Sequence, residues 1–266
     1  MSFGALFVQN LIDLADQAAL PEVRSIVLQQ LTPNEQRLAI GALHSIYPAS
    51  MIKVPLVAVT FADVASGRLR FEDRFPVAAA NMTANDSASP LVPGYETTLS
   101  EITNRAISFS DNVATNMLFD ILGRERATDI ARRHLGLEET FFHRKLSGSE
   151  PLIVDAGWNE TDRNAHSAAD AVRLFAAIAQ DRIPYAQRLR ASLAAQFWNE
   201  KLNCGLRTGD TFAHKTGDTD EVTHDGGILT TAEGRSYALA VYTQFASNDD
   251  HNARLGEFMR LLRRFL

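Results

Sequence analysis

Apolar residues recur every three or four positions at both ends of the chain, which predicts an amphipathic helix at each end. The N-terminal stripe comprises Phe3, Phe7, Leu11, Leu14 and Ala18. The C-terminal stripe, within residues 250–266, comprises Leu255, Phe258, Met259, Leu262, Phe265 and Leu266, with arginines beside it. A basic amphipathic helix can lie on a membrane surface, but we favour a helix packed on a sheet with its arginines in solvent.

Runs of β-branched and aromatic residues bounded by turn residues predict five short strands. Two lie near the N-terminus, at 23–29 and 37–43, and three near the C-terminus, at 211–215, 222–230 and 236–245. The apolar spacing between these groups predicts helices at 50–66, 99–108, 112–122, 124–134, 168–179 and 185–197. Residues 81–94 and 146–165 are irregular, and loops of such length are often functional.

Strand patterns at both ends and helical patterns between them predict an α/β fold of the α+β, two-lobed kind. We expect a five-stranded antiparallel sheet flanked by helices, plus an all-helical lobe. In a single catalytic domain of residues 1–266, the sheet lobe would hold about 1–49 and 186–266, and the helical lobe about 50–185. The cleft between two such lobes is a usual place for an active site.

Composition restricts the possible binding partners of the protein more than it restricts the fold. The 266 residues carry a formal net charge of −6, which disfavours binding to nucleic acid. Cys204 is the single cysteine, so an intrachain disulfide is excluded and a Cys/His zinc cluster is disfavoured. We expect no metal, no organic cofactor and no stable membrane insertion, and a monomer or weak homodimer. With no signal peptide visible, the sequence as it stands predicts a cytoplasmic protein, or a periplasmic or secreted one if a leader precedes it.

Three short motifs point to chemistry: Ser50-Met51-Ile52-Lys53, Ser110-Asp111-Asn112 and Lys215-Thr216-Gly217. They read S-x-x-K, S-D-N and K-T-G, in that order. Their joint occurrence by chance in a chain of this composition is on the order of 10⁻⁴. On a helix, Ser50 and Lys53 share one face, so the amine can activate the hydroxyl if burial beside another cation lowers its pKa. Lys215 is a candidate for that cation.

The sequence resembles the serine β-lactamases and penicillin-binding proteins, most closely the class A-like branch, over nearly its whole length. The resemblance implies that Ser50 is the nucleophile and that Ser110 relays a proton between the two lysines and the leaving nitrogen. It implies that Asn112 points its amide at Lys53 and at substrate. It further implies that Lys215 and Thr216 bind the substrate carboxylate, that Gly217 belongs to the substrate-binding site, and that the backbone N–H groups of Ser50 and Asp218 form an oxyanion hole.

Two departures from the family pattern matter for function. A class A enzyme deacylates with a loop glutamate, and the candidates are Glu138, Glu139, Glu150 and Glu160. We choose Glu150, which precedes a proline as in the family, although the residues after it do not match. Asp218, where a small neutral or hydroxyl residue is usual, brings negative charge close to the expected carboxylate pocket, which would weaken the binding of anionic substrates.

The resulting hypothesis is a serine hydrolase that forms an acyl-enzyme with a small-molecule β-lactam or related amide or ester. The alternatives are a D-alanyl-D-alanine peptidase or esterase on the same fold, and a non-hydrolytic β-lactam sensor. His214, His224 and Asp225 resemble part of a metal site or a triad, but without a third matching ligand we favour structural roles for them.

Overall fold

The computed structural model describes residues 7–32, 36–41, 44–147, 155 and 161–266. The helices are α1 (Val8–Gln17), α2 (Lys53–Ala65), α3 (Leu99–Ser108), α4 (Asn112–Leu122), α5 (Arg124–His134), α6 (Ala168–Ala179), α7 (Ala186–Ala194) and α8 (Asp249–Leu262). The strands are β1 (Arg24–Gln30), β2 (Arg37–Ile40), β3 (Arg74–Pro76), β4 (Glu96–Thr98), β5 (Thr211–Asp218), β6 (Thr223–Thr230) and β7 (Ser236–Thr243).

Five strands form the predicted antiparallel sheet, in the order β2-β1-β7-β6-β5. The first N-terminal strand therefore pairs with the last strand of the chain, which joins the two ends of the sequence. The sequence analysis missed β3 and β4, which pair as a separate two-stranded sheet. Three residues are too few for an alternating pattern to be recognised.

The two faces of the sheet belong to two hydrophobic cores. Alternate residues of β7 show this division: Ala238 and Ala240 pack with the helices of the middle segment, and Leu239 and Val241 pack with α1 and α8. Successive side chains of a strand point to opposite faces, so each face is covered by its own layer. The predicted arrangement, with the terminal helices on one face and the helical part on the other, is confirmed. The lobe boundaries stay a prediction.

Side-chain caps explain why the sequence placed several helices correctly. Thr98, Asp111, Ser167 and Asn248 each accept a hydrogen bond from the backbone N–H three residues on, at the starts of α3, α4, α6 and α8. Such caps satisfy N–H groups that have no partner within the helix. These caps define the first residue of each helix, which apolar spacing alone does not determine.

One expectation about α8 is wrong in detail. Its apolar stripe is buried against the sheet, as predicted, but Arg263 is not in solvent. The Arg263 side chain is fully buried and donates to both Asp210 carboxylate oxygens, at 2.7 and 2.9 Å, and to the Leu266 carbonyl. A bidentate guanidinium–carboxylate pair is one of the few arrangements in which a charged group is stably buried.

Among the described helices, none is long and apolar enough to cross a membrane. Among the described residues, no group of three or more His, Cys, Asp or Glu side chains is placed to hold a metal ion.

Close packing of β6 against its two neighbouring strands explains the glycine pair, with Gly226 against β7 and Gly227 against β5. A Cβ added at Gly227 would lie 2.2 Å from the Ala213 carbonyl oxygen and 2.6 Å from the His214 Cα. We expect Gly227→Ala to lower the free energy of unfolding by about 1–3 kcal/mol, because backbone atoms must move to admit the methyl group. Urea unfolding measures this, and an unchanged midpoint would contradict the packing argument.

Candidate active site

The segment that carries Ser50 is a short 3-10 turn, Ala49–Ile52, which runs directly into α2. In a 3-10 turn, residues i and i+3 lie one above the other, so Ser50 and Lys53 share a face although only Lys53 belongs to the α-helix. Ala49 has a positive φ of 46°. Ser50 is half-buried and lines a cleft of about 610 Å³, together with Ser110, Thr216 and Asp218.

The structure brings the three motifs together at Ser110. Its Oγ lies 3.1 Å from the Lys53 Nζ and 2.9 Å from the Lys215 Nζ. Ser110 has a positive φ of 56°, in the left-handed region that a non-glycine residue rarely adopts. Such backbone strain is held only where the surrounding structure demands it, often at a functional site. The hydroxyl is thereby fixed between two amines from two other elements.

Both amines are completely buried, which changes their acid–base behaviour. Burial, and then the positive charge of Lys215, holds the pKa of Lys53 well below its ordinary value. Burial lowers the pKa of Lys215 to about 7. A buried ammonium loses hydration, and two neighbouring cations repel each other, so both effects favour the neutral amine. Lys53 therefore gives up its proton more readily than an exposed lysine, and Lys215 does so near neutral pH.

The S-D-N motif does more than place Ser110. Asn112 Oδ1 accepts a hydrogen bond from Lys53 Nζ at 2.7 Å, and its Nδ2 donates to the Ala84 carbonyl at 2.8 Å. The amide thus faces Lys53, as expected, while its N–H group is engaged by the loop at residues 81–94. Asp111 caps α4 and accepts from Asn85 and Ser89 of the same loop. This loop is therefore anchored directly onto the motif.

Lys201 is a residue of this site that the sequence analysis missed. Its side chain is fully buried, and its ammonium forms an ion pair with the Asp218 carboxylate, which is 33% exposed. Burial alone would raise the pKa of Asp218, but the Lys201 charge and hydrogen bonds from Lys201 and Ser247 hold it below its ordinary value. Asp218 acts on Lys215 electrostatically, as expected, but its ion-pair partner is Lys201. Only four residues of the chain are lysines, and this scarcity was the one signal for Lys201 in the sequence.

The histidines hold β5, β6 and the nucleophile turn in place. His224 lies 2.7 Å from the Tyr47 carbonyl through its Nε2, and its Nδ1 accepts from the Thr243 N–H. Burial lowers the pKa of His224 to about 4, so the ring is neutral and Nε2–H donates to Tyr47. His214 forms a buried pair with Asp225 at 2.8 Å. These contacts agree with the structural roles favoured from the sequence.

The proposed deacylating residue, Glu150, lies outside the described residues, as does Glu160. Glu138 and Glu139 are described and do not line the cleft that contains Ser50. The roles assigned to Lys215 and Thr216 toward a substrate carboxylate, and to Gly217 in substrate binding, stay predictions. Lys215 and Thr216 do lie together, with the Lys215 Nζ 2.8 Å from the Thr216 carbonyl, and Thr216 reaches the cleft.

A two-lobed fold with a serine turn facing buried lysines is the architecture of β-lactamases and penicillin-binding proteins. The model of the beta-lactamase enzyme family matches residues 7–260, so the chain belongs to this family. A β-lactamase of Rhodobacter capsulatus is 32% identical over 120 residues, a match that spans 45% of this chain and 40% of that protein.

Solved structures show the same fold. The β-lactamase of Sphaerobacter thermophilus superposes with a TM-score of 0.84 at 22% identity, with 97% of each chain covered. An acyl-enzyme complex of a PBP-A variant with penicillin G superposes with a TM-score of 0.81 at 22% identity, with 96% of each chain covered. The predicted fold and family are confirmed.

Proposed function

We propose that this protein is a serine hydrolase that opens the amide bond of a β-lactam through an ester on Ser50 and then hydrolyses that ester. The observation that carries the proposal is the position of Ser110 Oγ, about equally far from two buried amines, on the wall of the cleft that Ser50 lines. This arrangement supplies a base for the attacking hydroxyl and a proton path to the leaving nitrogen.

The contacts of Lys53 can be met by a neutral amine, which has two hydrogens and one lone pair. The Ser110 carbonyl at 2.6 Å and Asn112 Oδ1 at 2.7 Å can take the two hydrogens, and the lone pair then lies on the side of Ser110 Oγ, at 3.1 Å. In acylation, Ser50 Oγ attacks the carbonyl carbon and its proton passes to Lys53. Ser110 then receives a proton from Lys53 and gives its own to the nitrogen as the C–N bond breaks.

Developing negative charge on the carbonyl oxygen would be met by the backbone N–H groups of Ser50 and Asp218. The packing of Gly217 supports this assignment. A Cβ added at Gly217 would lie 3.0 Å from the Pro48 carbonyl oxygen and 3.4 Å from the Ala49 Cβ, so the end of β5 touches the turn that carries Ser50. Glycine permits this approach, and a larger residue would separate the two N–H groups.

Hydrolysis of the ester needs a base for water, and Glu150 is our proposal for it. Without such a base the acyl-enzyme would persist, as expected for a penicillin-binding protein or a β-lactam sensor. Intact-mass spectrometry after the addition of benzylpenicillin separates these functions. A transient adduct indicates a β-lactamase and a persistent adduct indicates a penicillin-binding protein or sensor. No adduct would contradict the β-lactam assignment and favour the esterase.

The pH dependence of acylation follows from the two lysines. Lys53 must be neutral, so the rate should rise with pH through its lowered pKa. Lys215 loses its proton as pH rises through about 7, and with it the charge that assists Ser110, so the rate should fall above that pH.

Lys215→Arg keeps the charge, because a guanidinium stays protonated, and should move the basic limb up by more than about one pH unit. Stopped-flow acylation from pH 5 to 10 measures both profiles. A basic limb that stays near pH 7 in the variant would show that Lys215 is not its origin.

A further inference from the structure

The walls of the cleft are acidic. Among the described residues, five carboxylates line it: Asp86, Glu200, Asp218, Asp220 and Asp249. They come from separate parts of the chain, namely the loop at residues 81–94, the segment after α7, the end of β5 with its turn, and the first residue of α8. All except Asp218 are exposed. Among the residues that the structure describes, no lysine, arginine or histidine lines this cleft.

The buried lysines near the cleft do not cancel the negative charge that a substrate meets on its walls. Lys53, Lys201 and Lys215 are each fully buried. The ammonium of Lys201 has three hydrogens, and its partners are the Asp218 carboxylate, the His224 carbonyl at 3.1 Å and the Gly217 carbonyl at 3.4 Å. With its donors engaged, Lys201 is not free to bind a substrate anion. The charge that a substrate meets at this position is the exposed part of Asp218.

Two further features of the cleft suit a cationic ligand. Asn252 lines the cleft and is only 8% exposed, and its Oδ1 is a buried atom without a hydrogen-bond partner among the described residues. A buried acceptor without a donor is costly, and a ligand N–H that reaches it would relieve that cost. Trp198 also lines the cleft, half-buried, and its indole N–H donates to the Phe109 carbonyl at 3.4 Å. A fixed indole is the aromatic ring that attracts cations best.

We propose that the substrate of this cleft carries a positively charged group, an ammonium or guanidinium, near the bond that Ser50 attacks. This inference rests on the proposed function and specifies its substrate class. Asp86 is the partner we assign to that group, because it is exposed on the wall of the cleft that Ser50 also lines, whereas Asp218 is held by Lys201. A second carboxylate on the substrate is disfavoured by the same field.

Three penicillins that differ in one substituent test the proposal. The side-chain α-carbon carries an ammonium group in ampicillin, hydrogen in benzylpenicillin and a carboxylate in carbenicillin. We expect kcat/KM to be highest for ampicillin and about tenfold or more lower for carbenicillin. The ratio should shrink in 1 M salt, where the Debye length falls to about 3 Å. Equal values, or faster turnover of carbenicillin, would overturn the proposal and leave the carboxylates as ordinary solvated residues.

Substitution of single carboxylates shows which residues cause the charge preference. Asp86→Asn and Asp220→Asn should each reduce the ampicillin-to-carbenicillin ratio about two- to fivefold, as expected for an exposed charge pair. Glu72→Gln removes the same charge from an exposed position that does not line the cleft, and should leave the ratio unchanged. An equal effect of all three variants would show that only net charge matters and would contradict a bound cation.

A matched set of p-nitrophenyl esters separates this inference from the proposed function. The acyl chains end in ammonium, methyl or carboxylate, as in 6-aminohexanoate, hexanoate and adipate. If the penicillins form no adduct but the ammonium ester is preferred, the β-lactam assignment is wrong and the cation inference stands. If penicillins are hydrolysed without charge preference, the β-lactam assignment stands and the cation inference is wrong. No turnover of either set would overturn both proposals.

Discussion

Ser50→Ala should abolish covalent labelling by benzylpenicillin and by a fluorophosphonate, and should reduce hydrolysis by about 10⁴-fold or more. Removing the nucleophile of a serine hydrolase leaves only the catalysis supplied by binding and by the oxyanion donors. The change deletes one oxygen atom from a half-buried position in the turn before α2, so the fold should be unaffected.

Intact-mass spectrometry measures the labelling, and thermal unfolding shows whether the variant is folded. Ser66→Ala is the matched control, because Ser66 lies at the other end of α2 and donates only to the Asp63 carbonyl. The control should label at the wild-type rate. If the Ser50 variant still acquires the adduct on another serine, the assignment of the nucleophile is wrong.

Lys53→Arg should slow acylation by about 10²-fold or more, which is the usual loss when a general base is removed. Arginine keeps a positive charge at position 53 but does not release a proton at the pH of the assay. If Lys53 acted only by its charge, the variant would retain much of its rate. The outcome therefore distinguishes proton transfer from electrostatic assistance.

The chain offers a close control for this variant. Lys145 is also buried and donates to Asn81 Oδ1 at 2.7 Å and to Asp120 at 2.8 Å, but it makes no contact with Ser110. Lys145→Arg introduces the same larger side chain into a buried site and should change acylation little. Lys53→Ala with added methylamine is a second test. Partial recovery of the acylation rate, increasing with pH, would support Lys53 as the base. No recovery, together with loss of acylation in Lys145→Arg, would point to a packing defect instead.

An acidic cleft above buried lysines would separate substrate selection from proton transfer in this protein. In the proposed reaction, the buried amines move protons and the exposed carboxylates select the substrate. These two tasks are carried by different residues, so each can be altered separately. Asp220→Asn should change selectivity while leaving the acid–base limbs of the best substrate nearly in place.

Much of this molecule could be predicted from its sequence, because the signals are local. The 3.6-residue spacing of apolar positions predicted helices α3 to α6 with the observed bounds, and caps such as Asp111 fix those bounds by hydrogen bonds within three residues. Runs of β-branched and aromatic residues between turn residues predicted the strands of the large sheet. The three motifs predicted that Ser50, Lys53, Ser110 and Lys215 belong to one site, and the structure places the last three in contact.

The tertiary structure decided what depends on distant partners. Asp218 was recognised as unusual, but only the fold shows that Lys201, 17 residues earlier, forms an ion pair with it. Arg263 was expected in solvent, and only the fold places Asp210, 53 residues earlier, against it. A charged side chain has no periodic pattern that reveals whether it is hydrated or paired. Its state depends on which carboxylate folding brings within a few ångströms, because a buried charge is stable only beside such a partner.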